Sequence, residues 1–178
     1  FASQEVNIMM LCLLPIISIF LIARELIVSI LYSGEFRAII PYISFAIVGT
    51  VMRAYSWFLA IVIVARGDGK IYIVTETLSV LTGFALNVAC YHLWGLAGLG
   101  VAFCLWYAAY CLIVGVVYFR RYGYSLSRQS SLLSLFTLAF CAAIVFLLNE
   151  GWLWAAIAAT AIISLFAGIR LRRLVSHR

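Results

Sequence analysis

Residues 77 to 119 contain no Asp, Glu, Lys or Arg. A helix crossing a membrane needs about 20 apolar residues, so this run is too long for one span and too apolar for a soluble surface. It must therefore reverse, and the stretch YHLWGLAGLG marks the place. Tyr91, His92 and Trp94 suit a membrane–water interface, and Gly95, Gly98 and Gly100 supply a turn. The rest of the chain is similar in character. It is 67% hydrophobic and 10% charged, where soluble domains are about 45–50% apolar and about 25% charged. That composition excludes a cytosolic enzyme, a disordered segment and a nucleic-acid-binding domain.

Six segments have the length and apolarity to span. They run from about Val6 to Leu31, Ala38 to Val64, Ile71 to Tyr91, Leu96 to Phe119, Leu132 to Leu148 and Leu153 to Ile169. The expected fold class is thus all-α, a polytopic transmembrane helix bundle. Residues 1–128 would form four spans of a transporter lobe, and 129–178 two further spans with a basic tail. The chain opens at Phe1 with no basic stretch or cleavage site before its first apolar run, so we expect no signal peptide and read it as a piece of a longer protein.

Charge sets the orientation. Nine of the twelve basic residues fall in ARGDGK, RRYGYSLSRQ and RLRRLVSHR, all on one side of a six-span topology. The positive-inside rule puts that side, with both chain ends, in the cytoplasm of an inner or plasma membrane. The connections are too short to form an extramembrane catalytic domain, so no enzyme is expected. The five cysteines lie apart, without C-x-x-C spacing, and His92 and His177 are isolated. Neither a metal site nor a cofactor is expected.

Two arginines fall inside spans. Arg24, with Glu25, lies near the outer end of the first span, where it is expected to snorkel to the headgroups. Pro15 removes a hydrogen bond from that span and is expected to kink it. Arg53 lies near mid-depth, where an Arg costs at least about 2.5–3.5 kcal/mol without a partner or a watery cavity. At about 100° per residue Thr50, Ser56 and Trp57 flank it, while the remainder of the span is mainly Ile, Val, Phe and Leu. The third span carries a matching polar arc that includes Glu76, Ser79 and Asn87. Arg53 and Glu76 either line a functional cavity or form a buried structural ion pair between neighbouring helices.

Three short motifs carry a resemblance. Leu31, Tyr32, Gly34 and Phe36 form an LYG-F element, Ala65, Arg66 and Gly67 an A-[KR]-G turn, and Gly95, Gly98, Gly100 and Ala102 open a later span. Over roughly residues 10–120 the chain resembles the C-terminal part of a polysaccharide flippase of the multidrug/oligosaccharidyl-lipid/polysaccharide exporter superfamily. That resemblance implies two lobes around a cavity with alternating access, and a missing N-terminal lobe of about eight spans. It implies a polyprenyl-pyrophosphate-linked glycan as cargo, with membrane lipids as the other partner and no nucleic acid. Arg53 would meet the pyrophosphate, Thr50, Ser56, Ser79 and Asn87 the sugar hydroxyls, and Trp57 a sugar ring. Glu76 would couple an ion or pair with Arg53. The alternatives are a drug or cation antiporter of the same superfamily, a membrane-embedded glycan polymerase or ligase, and a non-catalytic scaffold.

Overall fold

A computed structural model describes residues 2–31, 39–123 and 128–176. Among these the chain is helical throughout, as α1 (Ala2–Ile22), α2 (Arg24–Leu31), α3 (Ile40–Ala65), α4 (Gly69–Tyr122), α5 (Arg128–Asn149) and α6 (Leu153–Ser176). Five of these, α2 excepted, are long and apolar enough to cross a membrane. Their outward faces would be untenable in water: Phe84 is 70% exposed and Leu112 71%. The protein is therefore built for a membrane. Tyr32, Gly34 and Phe36 of the LYG-F element, together with Arg37, His177 and Arg178, lie outside the described residues.

The helices group into two compact units, Phe1–Ile40 with Leu126–Arg178, and Pro41–Ser125. In the split unit α1 packs against both α5 and α6. Its buried side chains Val6, Met10, Leu14, Ile17 and Leu21 recur at helical spacing and form one stripe. Opposite them, α6 buries Ala156, Thr160 and Ala167, whose small side chains let the helix axes approach closely. α1 continues as helix through Pro15. The segment read as one span from Val6 to Leu31 divides instead at Ala23, although Ala23 N–H still donates to Ile19 and Ile27 N–H to the Ala23 carbonyl.

Arg24, the first residue after that division, is 4% exposed. Its guanidinium donates to Asn149 Oδ1 at 3.0 Å, near the end of α5. The expectation of a headgroup anchor is thus corrected. A hydrogen-bonding partner is at hand inside the protein, and a buried guanidinium with a partner loses less than one stranded in hydrocarbon.

The central unit consists of α3 and the two arms of α4. As one straight rod, the 54 residues of α4 would extend about 81 Å. The backbone breaks at Gly95, with φ 60° and ψ −141°, a conformation closed to residues with a Cβ. Beyond it the second arm turns back along the first. A Cβ on Gly98 would lie 2.1 Å from the Cys90 carbonyl oxygen, so only glycine permits this closeness. Side-chain contacts then pair Ser79 with Trp106, Glu76 with Tyr110 and Asp68 with Tyr122, the antiparallel register of a hairpin. Cys104 and Cys111 in the second arm donate their thiols to the carbonyls of Phe45 (3.0 Å) and Met52 (3.2 Å) on α3. Both numbers rise by seven, so α3 and the second arm run parallel.

Candidate functional site

The three helical segments of the central unit enclose a cavity of about 400 Å³, open on one side. α3 contributes Thr50, Arg53, Ala54 and Trp57, one face at i, i+3, i+4 and i+7. The first arm of α4 contributes Tyr72, Glu76, Ser79 and Val80, again one face. The second arm contributes Trp106, Tyr107 and Tyr110. Arg53 lies twelve residues before the end of α3, about 18 Å along the axis. That is near the middle of a hydrocarbon layer about 30 Å thick.

The two charges in this cavity are spaced by aromatic side chains. The Arg53 guanidinium lies 5.5 Å from the centroid of the Tyr107 ring. Tyr107 is held from behind by Trp106, stacked at 5.0 Å and 22°, and by Phe103 at 4.8 Å. The Glu76 carboxylate accepts a hydrogen bond from the Tyr110 hydroxyl. The alternative of a direct ion pair between Arg53 and Glu76 is thus replaced by two aromatic contacts, and Arg121 pairs instead with Asp68. The cause is that Tyr107 and Tyr110, one turn apart on the second arm, present a ring face to the cation and a hydroxyl to the anion. Arg53 keeps the N–H edge of its planar fork available, and that fork suits carboxylate or phosphate oxygens.

Hydroxyl groups line the same space. Thr50 donates to the Ala46 carbonyl at 2.9 Å, which leaves its oxygen lone pairs as acceptors. Ser79 accepts from Trp106 Nε1 at 2.9 Å and retains its own proton to donate. Trp57 is 63% exposed, a flat apolar ring at the cavity's edge.

Of the residues singled out in the sequence, Arg53, Thr50, Trp57, Ser79 and Glu76 meet in this cavity. Ser56 and Asn87 do not. The four cavity-lining residues of α3 are centred between Trp57 and Thr50, and Ser56 falls about 110° away from that centre at about 100° per residue. Its side chain is fully buried, with the hydroxyl donated to the Arg53 carbonyl. Asn87 shares the arc of Glu76 but stands two turns beyond Ser79. Trp106 reaches across Ser79 and Gly83, where an added Cβ would meet the indole at 2.3 Å. Asn87 gives its amide N–H to the Gly83 carbonyl at 2.7 Å. The sequence reading also passed over Trp106, Tyr107 and Tyr110. The available signal was the WYAAY run, which places ring hydroxyls far from either interface, where a buried Tyr needs a partner.

Below the cavity the A-[KR]-G turn joins α3 to α4. Asp68 accepts from the Tyr122 hydroxyl at 2.5 Å and faces Arg121 Nε at 3.5 Å. The Tyr122 hydrogen bond, aided by Arg121, holds the Asp68 carboxyl below its ordinary pKa. Arg66 sits 6.0 Å over the same Tyr122 ring. These contacts tie the open ends of the α4 hairpin together. Among the described residues no three His, Cys, Asp or Glu side chains gather as a metal site.

Comparison of the chain with protein-family models, with curated proteins and with solved structures finds no match.

Proposed function

We propose that this chain is the C-terminal part of a membrane transporter, with α4 counted as two crossings and six crossings in all. Within that class we propose a flippase for polyprenyl-pyrophosphate-linked oligosaccharide, working by alternating access together with an N-terminal lobe. The charge bias of the connections supports both ends of this chain lying in the cytoplasm of an inner or plasma membrane.

The observation that carries the reading is the Arg53 guanidinium presented to a mid-depth cavity and backed by an aromatic face rather than neutralised by Glu76. A sugar headgroup cannot enter hydrocarbon without losing its hydrogen bonds to water. Here Thr50 and Ser79 offer an acceptor and a donor, and Trp57 a surface on which a sugar ring can stack. Arg53 matches the paired oxygens of a pyrophosphate, while the lipid tail stays among the acyl chains.

The test uses the full-length protein in a strain whose surface glycan depends on it. Arg53→Ala is expected to cut export at least about tenfold, the worth of a charged hydrogen bond. Arg53→Lys restores part of it, since the charge returns without the fork. Normal export by both variants at normal protein abundance would overturn the reading. A drug or cation antiporter is the second reading, favoured by Glu76 and five aromatic side chains in one cavity. In that case Glu76→Gln abolishes transport of a cationic dye and Arg53→Ala does not.

A further inference from the structure

The split unit holds a second cavity, a groove of about 530 Å³ between α1, α5 and α6. Its polar residues lie toward one end. Gln129 stands in the first turn of α5 and Arg170 in the last two turns of α6, while Leu132, Phe136 and Phe166 lie further along the same helices. This is the polarity gradient of a lipid, with the head at the basic rim and the chain inward. We propose that the groove holds one anionic glycerophospholipid whose headgroup carries a hydroxyl, of the phosphatidylglycerol type. The proposal rests on the membrane reading of the chain and is independent of its cargo.

Two observations point to this occupant. Asn7, on the groove wall, is 7% exposed, and its side-chain oxygen has no hydrogen-bond partner. A buried acceptor of this kind calls for a donor from a ligand, which a headgroup hydroxyl supplies. Arg170 provides the second. Its guanidinium lies 5.6 Å from the Phe166 ring centroid, and among the described residues no carboxylate sits within ion-pair distance of it. Stacking on Phe166 leaves the N–H edge for a phosphodiester. Arg128 and Arg172, at the same ends of α5 and α6, add positive potential. A phosphatidylcholine headgroup offers neither net charge nor a hydroxyl.

The experiment incubates detergent-purified full-length protein with equimolar phosphatidylglycerol and phosphatidylcholine and counts retained lipids by native mass spectrometry. One phosphatidylglycerol is expected per protein, preferred about fivefold, the worth of one basic side chain at an anionic headgroup. Arg170→Gln, on an exposed residue, should erase that preference. Against phosphatidylmethanol, which has the same phosphodiester charge and no hydroxyl, the unaltered protein should prefer phosphatidylglycerol, and Asn7→Leu should make the two equal. Arg170→Lys, retaining partial preference, guards against a folding defect in the Gln variant. Equal retention of both lipids by the unaltered protein, as expected if another segment of the full chain fills the groove, overturns the proposal. So does a preference that survives Arg170→Gln. Arg53→Ala should leave lipid retention unchanged, so failure of the cavity reading and failure of this one give different results.

Discussion

Arg24 in the split unit and Arg53 in the central unit are both cations within apolar helices, and the two units treat them oppositely. Arg24 is 4% exposed and donates to Asn149 across the α1–α2 and α5 junction. Arg53 lies on a cavity wall with only a ring face beneath it. In the first case the protein satisfies the guanidinium with its own acceptor. In the second it supports the cation and leaves its hydrogen-bonding edge open. A charge that the fold satisfies is structural, whereas one that the fold presents is available to a ligand. The difference is invisible in composition, since both are arginines within apolar helices.

The largest effect expected from breaking this contrast is on stability. Arg24→Ala removes a charged hydrogen bond to Asn149 and the packing of a buried side chain, at a cost of about 1.5–3 kcal/mol. Arg53→Ala removes no intramolecular hydrogen bond of that kind and should cost about 1 kcal/mol or less, the scale of a cation–π contact. Thermal unfolding of the two variants in the same detergent checks the pair. Equal destabilisation would mean that Arg53 is as structural as Arg24.

A smaller effect sharpens the comparison inside the cavity. Tyr110→Phe keeps the ring packed and removes the hydroxyl that occupies Glu76. The expected loss of stability is about 1 kcal/mol, for one hydrogen bond. The freed carboxylate then competes for Arg53, so transport should fall in Tyr110→Phe and recover in part when Glu76→Gln is added. Additive effects of the two substitutions would show that Tyr110 and Glu76 act separately.

Much of this was legible in the residues. Apolar length located the helices, and the glycine run located the reversal, because a break in a long uncharged helix needs a residue able to take positive φ. The i, i+3, i+4 and i+7 rule brought Thr50, Arg53 and Trp57 to one face. The same rule misassigned Ser56, because periodicity gives a direction around a helix but not which part of the arc a neighbour covers. Asn87 has the right direction and the wrong height, set by how Trp106 lies on Gly83. The Arg24–Asn149 contact joins positions 125 residues apart in sequence, and no local pattern encodes it. The division of α1 from α2 at Ala23 has no glycine or proline to announce it.

The smallest expected effect concerns the basic end of the α4 hairpin, where a third arrangement of charge occurs, in the open. Asp68 is held ionised by Tyr122 and Arg121, and its folded pKa lies below the ordinary value. The folded state therefore binds this proton less readily than the unfolded state. Its contribution to stability is full above the unfolded carboxylate pKa of about 4, and is lost as pH falls through the lower folded value. Melting temperatures of the full-length protein and of Asp68→Asn should differ by a small, constant amount from pH 8 to pH 5. Below pH 4 the two should converge, because protonated Asp68 and Asn are alike in charge. High salt should narrow the gap at neutral pH by screening Arg121, yet leave the part due to the Tyr122 hydroxyl. A gap that widens on acidification would give Asp68 a raised folded pKa and reverse the sign of its contribution. The hairpin would then be held at this end by the ring of Tyr122 under Arg66 and not by the carboxylate.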